Sequence, residues 1–184
     1  MIWPVTILVT GGRDFRDALA VDFAMSYLVR RYLAAIPSPD VEHVWLELIS
    51  GGCPIGADRL AENWWGEDLM DLLRDVAPEN VQIADAKRVF PASWKRYGKS
   101  AGPRRNAAMC IEAMRDYRRR QADPFLADPR LVMIAFPGGR GTDNCREQFK
   151  KHCEDMPVFS WNDERRILAL DGREIQRVDS EKAK

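Results

Sequence analysis

The chain has no surplus of charge of either sign: 28 Lys and Arg stand against 28 Asp and Glu in 184 residues. No global field draws it toward nucleic acid or an anionic membrane, so any anion preference must be local. No apolar run approaches the ~20 residues that span a bilayer, and Met1–Thr10 lacks the basic start and cleavage pattern of a secretory signal. A cytoplasmic protein without a membrane partner is expected. Cysteine is sparse and scattered: Cys53, Cys110, Cys145 and Cys153 form no CxxC pair, and only His43 and His152 could supplement them. That spacing implies no metal and no cofactor, and in a reducing cytosol the thiols should be free and pack as small hydrophobes. Internal repeats and low-complexity stretches are also absent. The length suits one domain with a substantial core and falls short of two, so residues 1–184 read as a single domain, with 162–184 as a C-terminal hairpin and tail.

What is present is an alternation of β-prone runs and helical periodicities. Val5–Thr10 stops at Gly11-Gly12, and Val21, Ala24, Met25, Leu28 and Tyr32 follow at helical spacing. Val44–Ile49 predicts a second strand, ended by Ser50-Gly51-Gly52 and followed by a helix from about Ala57. Val81–Ala84 predicts a weaker third strand. A long polar and aromatic connection, Phe90–Pro103, then leads to a helix over about Arg104–Arg120, with Ala107, Ala108, Ile111 and Met114 as its expected inward face. Leu131–Phe136 is apolar throughout, as a strand covered on both faces should be. A helix over about Asn144–Cys153, a strand at Pro157–Trp161 and a hairpin turning at Asp171-Gly172 complete the pattern, with Ser180–Lys184 as a frayed tail. The expectation is an α/β, Rossmann-like domain: a mostly parallel sheet, helices on both faces and a C-terminal β-hairpin.

Such sheets bind ligands beyond the carboxyl ends of their strands, and three glycine-rich loops fall there. In Gly11-Gly12-Arg13-Asp14, glycines let backbone N–H groups approach a phosphate and Arg13 adds a fork of donors; the alternative is a tight turn with an exposed charge pair. Ser50, Gly51, Gly52, Gly56, Ala57 and Asp58 repeat the logic at a helix start, with Asp58 as helix cap or ribose partner and capping the preferred role. Pro137, Gly138, Gly139, Arg140, Gly141 and Thr142 run from a buried strand into a helix; Thr142 adds a hydroxyl, and Arg140 is either a ligand donor or a turn residue.

Between Ala86 and Ile111 there is no Asp or Glu, whereas Lys87, Arg88, Lys95, Arg96, Lys99, Arg104 and Arg105 are all basic. Trp94 and Tyr97 are interleaved, so the segment offers phosphate donors and aromatic surfaces together; Lys99, Arg104, Arg105 and Asn106 are its candidate ligand residues. The competing reading is a solvated basic connection. Gly98-Lys99-Ser100 is not a P-loop, because the earlier glycine of GxxxxGK[ST] would fall at Ser93. Gly139-Arg140-Gly141 is not a dinucleotide fingerprint, because its last glycine position holds Asn144.

As an ordered set, Leu8–Phe15, Ser50–Ala61, Phe90–Asn106 and Ala135–Thr142 resemble the YspA-like branch of the SLOG superfamily, over roughly Thr6 to Val158. The resemblance implies a Rossmann-like domain related to the DprA and lysine-decarboxylase-like (LOG) proteins, and binding, sensing or processing of nucleotide derivatives. The LOG phosphoribohydrolase motif PGGxGTxxE places its catalytic Glu where this chain has Cys145, and its upstream RKxxM is met only by Arg105 and Met109. A thiol does not replace a carboxylate that stabilises positive charge on a sugar.

The leading expectation is a sensor or sequestering protein for a nucleotide-derived small molecule, ADP-ribose-like or cyclic-nucleotide-like, with homo-oligomerisation left open. A hydrolase of an N-glycosidic or phosphoester bond is the alternative, with Asp14, Asp58 or Asp143 as carboxylate sources and no catalytic residue assigned. A single-stranded nucleic-acid module comes third, since the whole chain carries no positive excess.

Overall fold

The computed structural model describes residues 1–177. Strands β1 (Ile2–Thr10), β2 (His43–Ser50), β3 (Gln82–Val89), β4 (Arg130–Ala135) and β5 (Val158–Asn162) run parallel in the order β3-β2-β1-β4-β5. Antiparallel β6 (Ile167–Leu170) and β7 (Arg173–Arg177) extend the same sheet beyond β5, so the hairpin is part of it rather than an appendage. Asp171 and Gly172 both take positive φ, 48° and 83°, as the twist of a two-residue hairpin turn demands. Val178 and the tail expected at Ser180–Lys184 lie outside the described residues.

Period-two alternation sorts the strands' side chains into two layers. Val5, Ile7, Val9, Leu46 and Leu48 face α1 (Ala18–Leu33), α2 (Ala57–Glu67) and α3 (Leu69–Val76), the last a helix that the sequence reading did not include. Leu8, Ile49 and Met133 face α5 (Ala101–Gln121) and α6 (Arg140–His152). A short α4 (Trp94–Tyr97) and a 3-10 turn at Gly98–Ser100 precede α5. Among the described residues, no helix is long and apolar enough to cross a membrane.

Three boundaries differ from the sequence reading. Strand β3 runs on to Val89, because its backbone pairs with β2 up to Ser50↔Val89, and so Lys87 and Arg88 belong to a strand. Helix α5 begins at Ala101, with Pro103 tolerated in its first turn. Helix α6 begins at Arg140, since Thr142 and Asp143 already donate to the Gly139 carbonyl at 2.9 and 3.2 Å.

The expected inward face of α5 is also displaced. Asn106, Met109, Cys110, Ala113 and Asp116 are buried, while Ala108 and Ile111 are exposed. Apolar periodicity selected the wrong stripe because the true one carries polar residues with partners. Asp116 and Arg120 meet a charge network on the sheet: Arg88 Nη1 donates to Asp116 at 2.7 Å, and Arg120 donates to Thr6 at 2.8 Å and to Glu47 at 3.1 Å. Arg88 Nε lies 3.3 Å from Glu47, so two guanidiniums neutralise two buried carboxylates across β1, β2, β3 and α5.

Candidate functional site

At the carboxyl ends of the strands, β1 leads to β2 on one side while β4 lies on its other side, and a crevice opens at this switch point. The three loops after β1, β2 and β4 interlock there through bare backbone. The Gly12 N–H donates to the Pro137 carbonyl at 2.8 Å, and the Ala57 N–H donates to the Gly12 carbonyl at 3.1 Å. A Cβ on Gly11 would come within 2.3 Å of the Ala57 Cβ, and one on Gly138 within 2.6 Å of the Gly12 nitrogen. Phe15 and Phe136 seal the back of the junction, their ring centroids 5.2 Å apart.

The resulting cleft has a volume of about 710 Å³. Of the residues predicted from sequence, Gly11, Gly12, Arg13, Asp14, Gly51, Gly52, Asp58, Lys99, Arg105, Asn106, Gly139, Gly141 and Thr142 line it. Ser50, Gly56, Ala57, Arg104, Pro137 and Gly138 do not, for identifiable reasons. Ser50 is fully buried and donates its hydroxyl to Glu62 at 2.6 Å. Gly56, Ala57, Pro137 and Gly138 form the interlock behind the wall. Arg104 is exposed, its guanidinium 4.7 Å from the centre of the Tyr97 ring.

The basic segment divides in the same way. Lys99 and Arg105 reach the cleft, Lys87 and Arg88 are held on β3, and Arg96 packs on Tyr97 at 5.0 Å. Thr10, Trp94, Arg140 and Asn144 also line the cleft. Trp94 is half exposed and lies 5.5 Å from the Arg13 guanidinium carbon, an aromatic surface at the mouth. Thr10 and Asn144 carried no loop signal, since each sits inside a regular element.

Four cations, Arg13, Lys99, Arg105 and Arg140, line the cleft against two carboxylates, Asp14 and Asp58. The first turns of α2, α5 and α6 all contribute to the wall, so three helix macrodipoles add positive potential. The N–H groups of Arg140 and Gly141 donate no hydrogen bond among the described residues, as expected of the free donors of a first turn.

Asp58 does not cap α2, whose N-cap is Gly56. Its carboxylate reaches back to accept from the Cys53 N–H at 3.3 Å and lies 3.8 Å from Arg105 Nη1, bracing the Gly51–Cys53 turn. Burial pushes the Asp58 carboxyl above its ordinary value, and Arg105 and the Cys53 N–H only partly oppose that. Arg105 itself is under-used. Its Nη1 is 3.5 Å from the Phe90 carbonyl, its buried Nε has no hydrogen-bond partner, and its guanidinium lies against Gly51, where a Cβ would be 1.6 Å from Nη1.

Asn106 is committed elsewhere: its amide donates to the Gly141 carbonyl and to Asn144 Oδ1, both at 3.1 Å, tying α5 to α6 across the cleft floor. Cys145 is buried behind the wall among Met109, Cys110 and Phe149. A hydrogen bond from the Cys110 thiol holds the Cys145 thiol below its ordinary value, and Cys110 is correspondingly raised. All four cysteines are free, and among the described residues no group of three or more His, Cys, Asp or Glu is placed to hold a metal ion. In comparisons with known proteins, no family model, curated protein or solved structure matches the chain.

Proposed function

We propose that the cleft binds a nucleotide-derived small molecule, ADP-ribose-like or cyclic-nucleotide-like, and that the protein acts as a sensor or sequestering protein for it. The observation that carries this reading is the Arg105 guanidinium. It lines the cleft against Gly51, its Nη1 has only the Phe90 carbonyl at 3.5 Å and Asp58 at 3.8 Å, and its Nη2 makes no hydrogen bond among the described residues, which leaves donors for an anionic oxygen. The free N–H groups opening α6 offer a second anchor for a phosphate, and Trp94 offers a surface for a base at the mouth. The volume falls within the few hundred to ~1,000 Å³ usual for small-ligand sites. The resemblance to the YspA-like branch of the SLOG superfamily points the same way.

Hydrolysis of such a ligand is the second reading, favoured by Asp58, a lining carboxyl whose affinity for protons is raised by burial. Against a LOG-type reaction, the position of the motif Glu is held by Cys145, which does not line the cleft. The test is to denature the purified protein and identify released small molecules by mass spectrometry. A nucleotide derivative recovered intact supports binding, a cleaved one after incubation with excess protein supports hydrolysis, and co-purified oligonucleotide alone would overturn both.

A further inference from the structure

A second concavity, of about 940 Å³, lies at the opposite end of the sheet, beside the starts of β1, β4 and β5. Its interior is aromatic. Trp3, fully buried at the start of β1, is fixed by donating its indole N–H to the Asp128 carbonyl at 2.6 Å, and Tyr32 packs against it edge-on with centroids 6.3 Å apart. Phe159 at the start of β5 contributes a further ring to the lining.

The rim is cationic. Arg30 and Arg31 come from the last turn of α1, and Arg130 from the first residue of β4. Arg130 pairs with Asp128, but Arg31 has only the Tyr27 hydroxyl at 3.5 Å, and Arg30 has no carboxylate partner among the described residues. Complementing the α1 dipole would explain one cation at that helix end. It does not explain two neighbouring cations there, Arg30 without a carboxylate among the described residues and Arg31 with only a hydroxyl contact, beside an aromatic lining. Asp155 is the one carboxylate among the lining residues.

We infer that this groove is a binding site for a small aromatic anion, a flat ring system bearing one carboxylate or one phosphate group. The ring would lie against the partly exposed Tyr27, beside Tyr32, and the anion would be held by the Arg30 and Arg31 guanidiniums. The inference does not depend on what occupies the cleft at the other end of the sheet.

The experiment is a fluorescence titration of the full chain with anilinonaphthalene sulfonate, itself an aromatic monoanion. Indole-3-acetate and AMP serve as competing carboxylate and phosphate, and neutral indole-3-acetamide as the control. At least one anion should displace the dye at about ten-fold or more lower concentration than the amide. Arg30→Ala/Arg31→Ala, both at exposed positions, should weaken dye and competitor about ten-fold or more with an unchanged circular dichroism spectrum. Lys150→Ala/Lys151→Ala, which removes equal charge from the exposed side of α6, should leave both affinities unchanged. The anion that competes identifies the carboxylate or phosphate source. The inference is overturned if neither anion outcompetes the amide, if the Arg30/Arg31 variant binds like wild type, or if the Lys150/Lys151 variant weakens binding equally.

Discussion

Gly56 and Gly141 belong to the same set of glycine-rich loops, but the structure assigns them opposite sensitivities to a single methyl group. Gly56 sits at φ 80° and ψ −155°, a region that residues with a Cβ essentially never occupy, at a cost of about 1–3 kcal/mol. Its Cβ would also meet the Gly12 carbonyl oxygen at 2.2 Å and the Arg13 Cα at 2.6 Å, both backbone atoms that cannot rotate away. Overpacking of that kind adds about 1–3 kcal/mol, so Gly56→Ala should cost roughly 2–6 kcal/mol of a total near 5–15 kcal/mol. Gly141 lies in the first turn of α6 with nothing within 4 Å of an added Cβ. Gly141→Ala should therefore be neutral or stabilising by about 0.4–1 kcal/mol. Urea denaturation of both variants, with equal m-values as the check on two-state behaviour, measures the difference. A Gly56→Ala loss below about 1 kcal/mol, or an equal loss at Gly141, would refute the interlock.

Glu47→Gln should cost about 2–3 kcal/mol in the same assay, because it strips one carboxylate from beside Arg88 and Arg120. The figure is below that for a fully buried pair because the Arg88 side chain is 32% exposed; an effect under 0.5 kcal/mol would mean the network contributes nothing net. Asp17 caps α1 by accepting from the Ala20 N–H at 2.9 Å and pairs with Arg166 at 2.7 Å. Although partial burial opposes it, these partners hold its carboxyl below the ordinary 3.8. Its contribution is thus complete above that value and is lost as pH falls through the lowered one. Asp17→Ala should cost about 1 kcal/mol at neutral pH and flatten the fall in stability below about pH 4; an unchanged acid limb would contradict this. Gly51→Ala should leave stability within about 1 kcal/mol, because the Arg105 guanidinium can swing aside, but it should weaken ligand binding as much as loss of that arginine. Retained affinity with an unchanged melting temperature would show that the position of Arg105 against Gly51 is irrelevant.

The sheet was legible because its central strands are mostly apolar runs leading into glycine-rich loops: Val5–Thr10, Val44–Ile49 and Leu131–Phe136 each mark a strand whose following loop reaches the cleft. Strand β3 was under-read because, lying at the sheet edge, it mixes Lys87 and Arg88 with apolar residues, and charge there mimics a loop. The glycine loops pointed to the right end of the sheet but not to the division of labour within it. Sequence cannot separate a glycine required for backbone contact, such as Gly56 or Gly138, from one open to the cleft, such as Gly139, because that depends on which loops meet. Arg104 and Arg105 are indistinguishable by composition. Their neighbouring positions on α5 send one onto Tyr97 and the other onto Gly51.

That separation gives the most direct measurement of the central claim. Calorimetric titration of wild type, Arg105→Ala and Arg104→Ala with ADP-ribose and with cyclic nucleotides, and with a single-stranded oligonucleotide at two salt concentrations, isolates the cleft arginine. Loss of a charge-assisted hydrogen bond at Arg105 should weaken the small ligand about ten-fold to a hundred-fold, while Arg104→Ala stays within about two-fold of wild type. Equal losses in the two variants, or binding of the oligonucleotide alone with a steep salt dependence, would contradict the account.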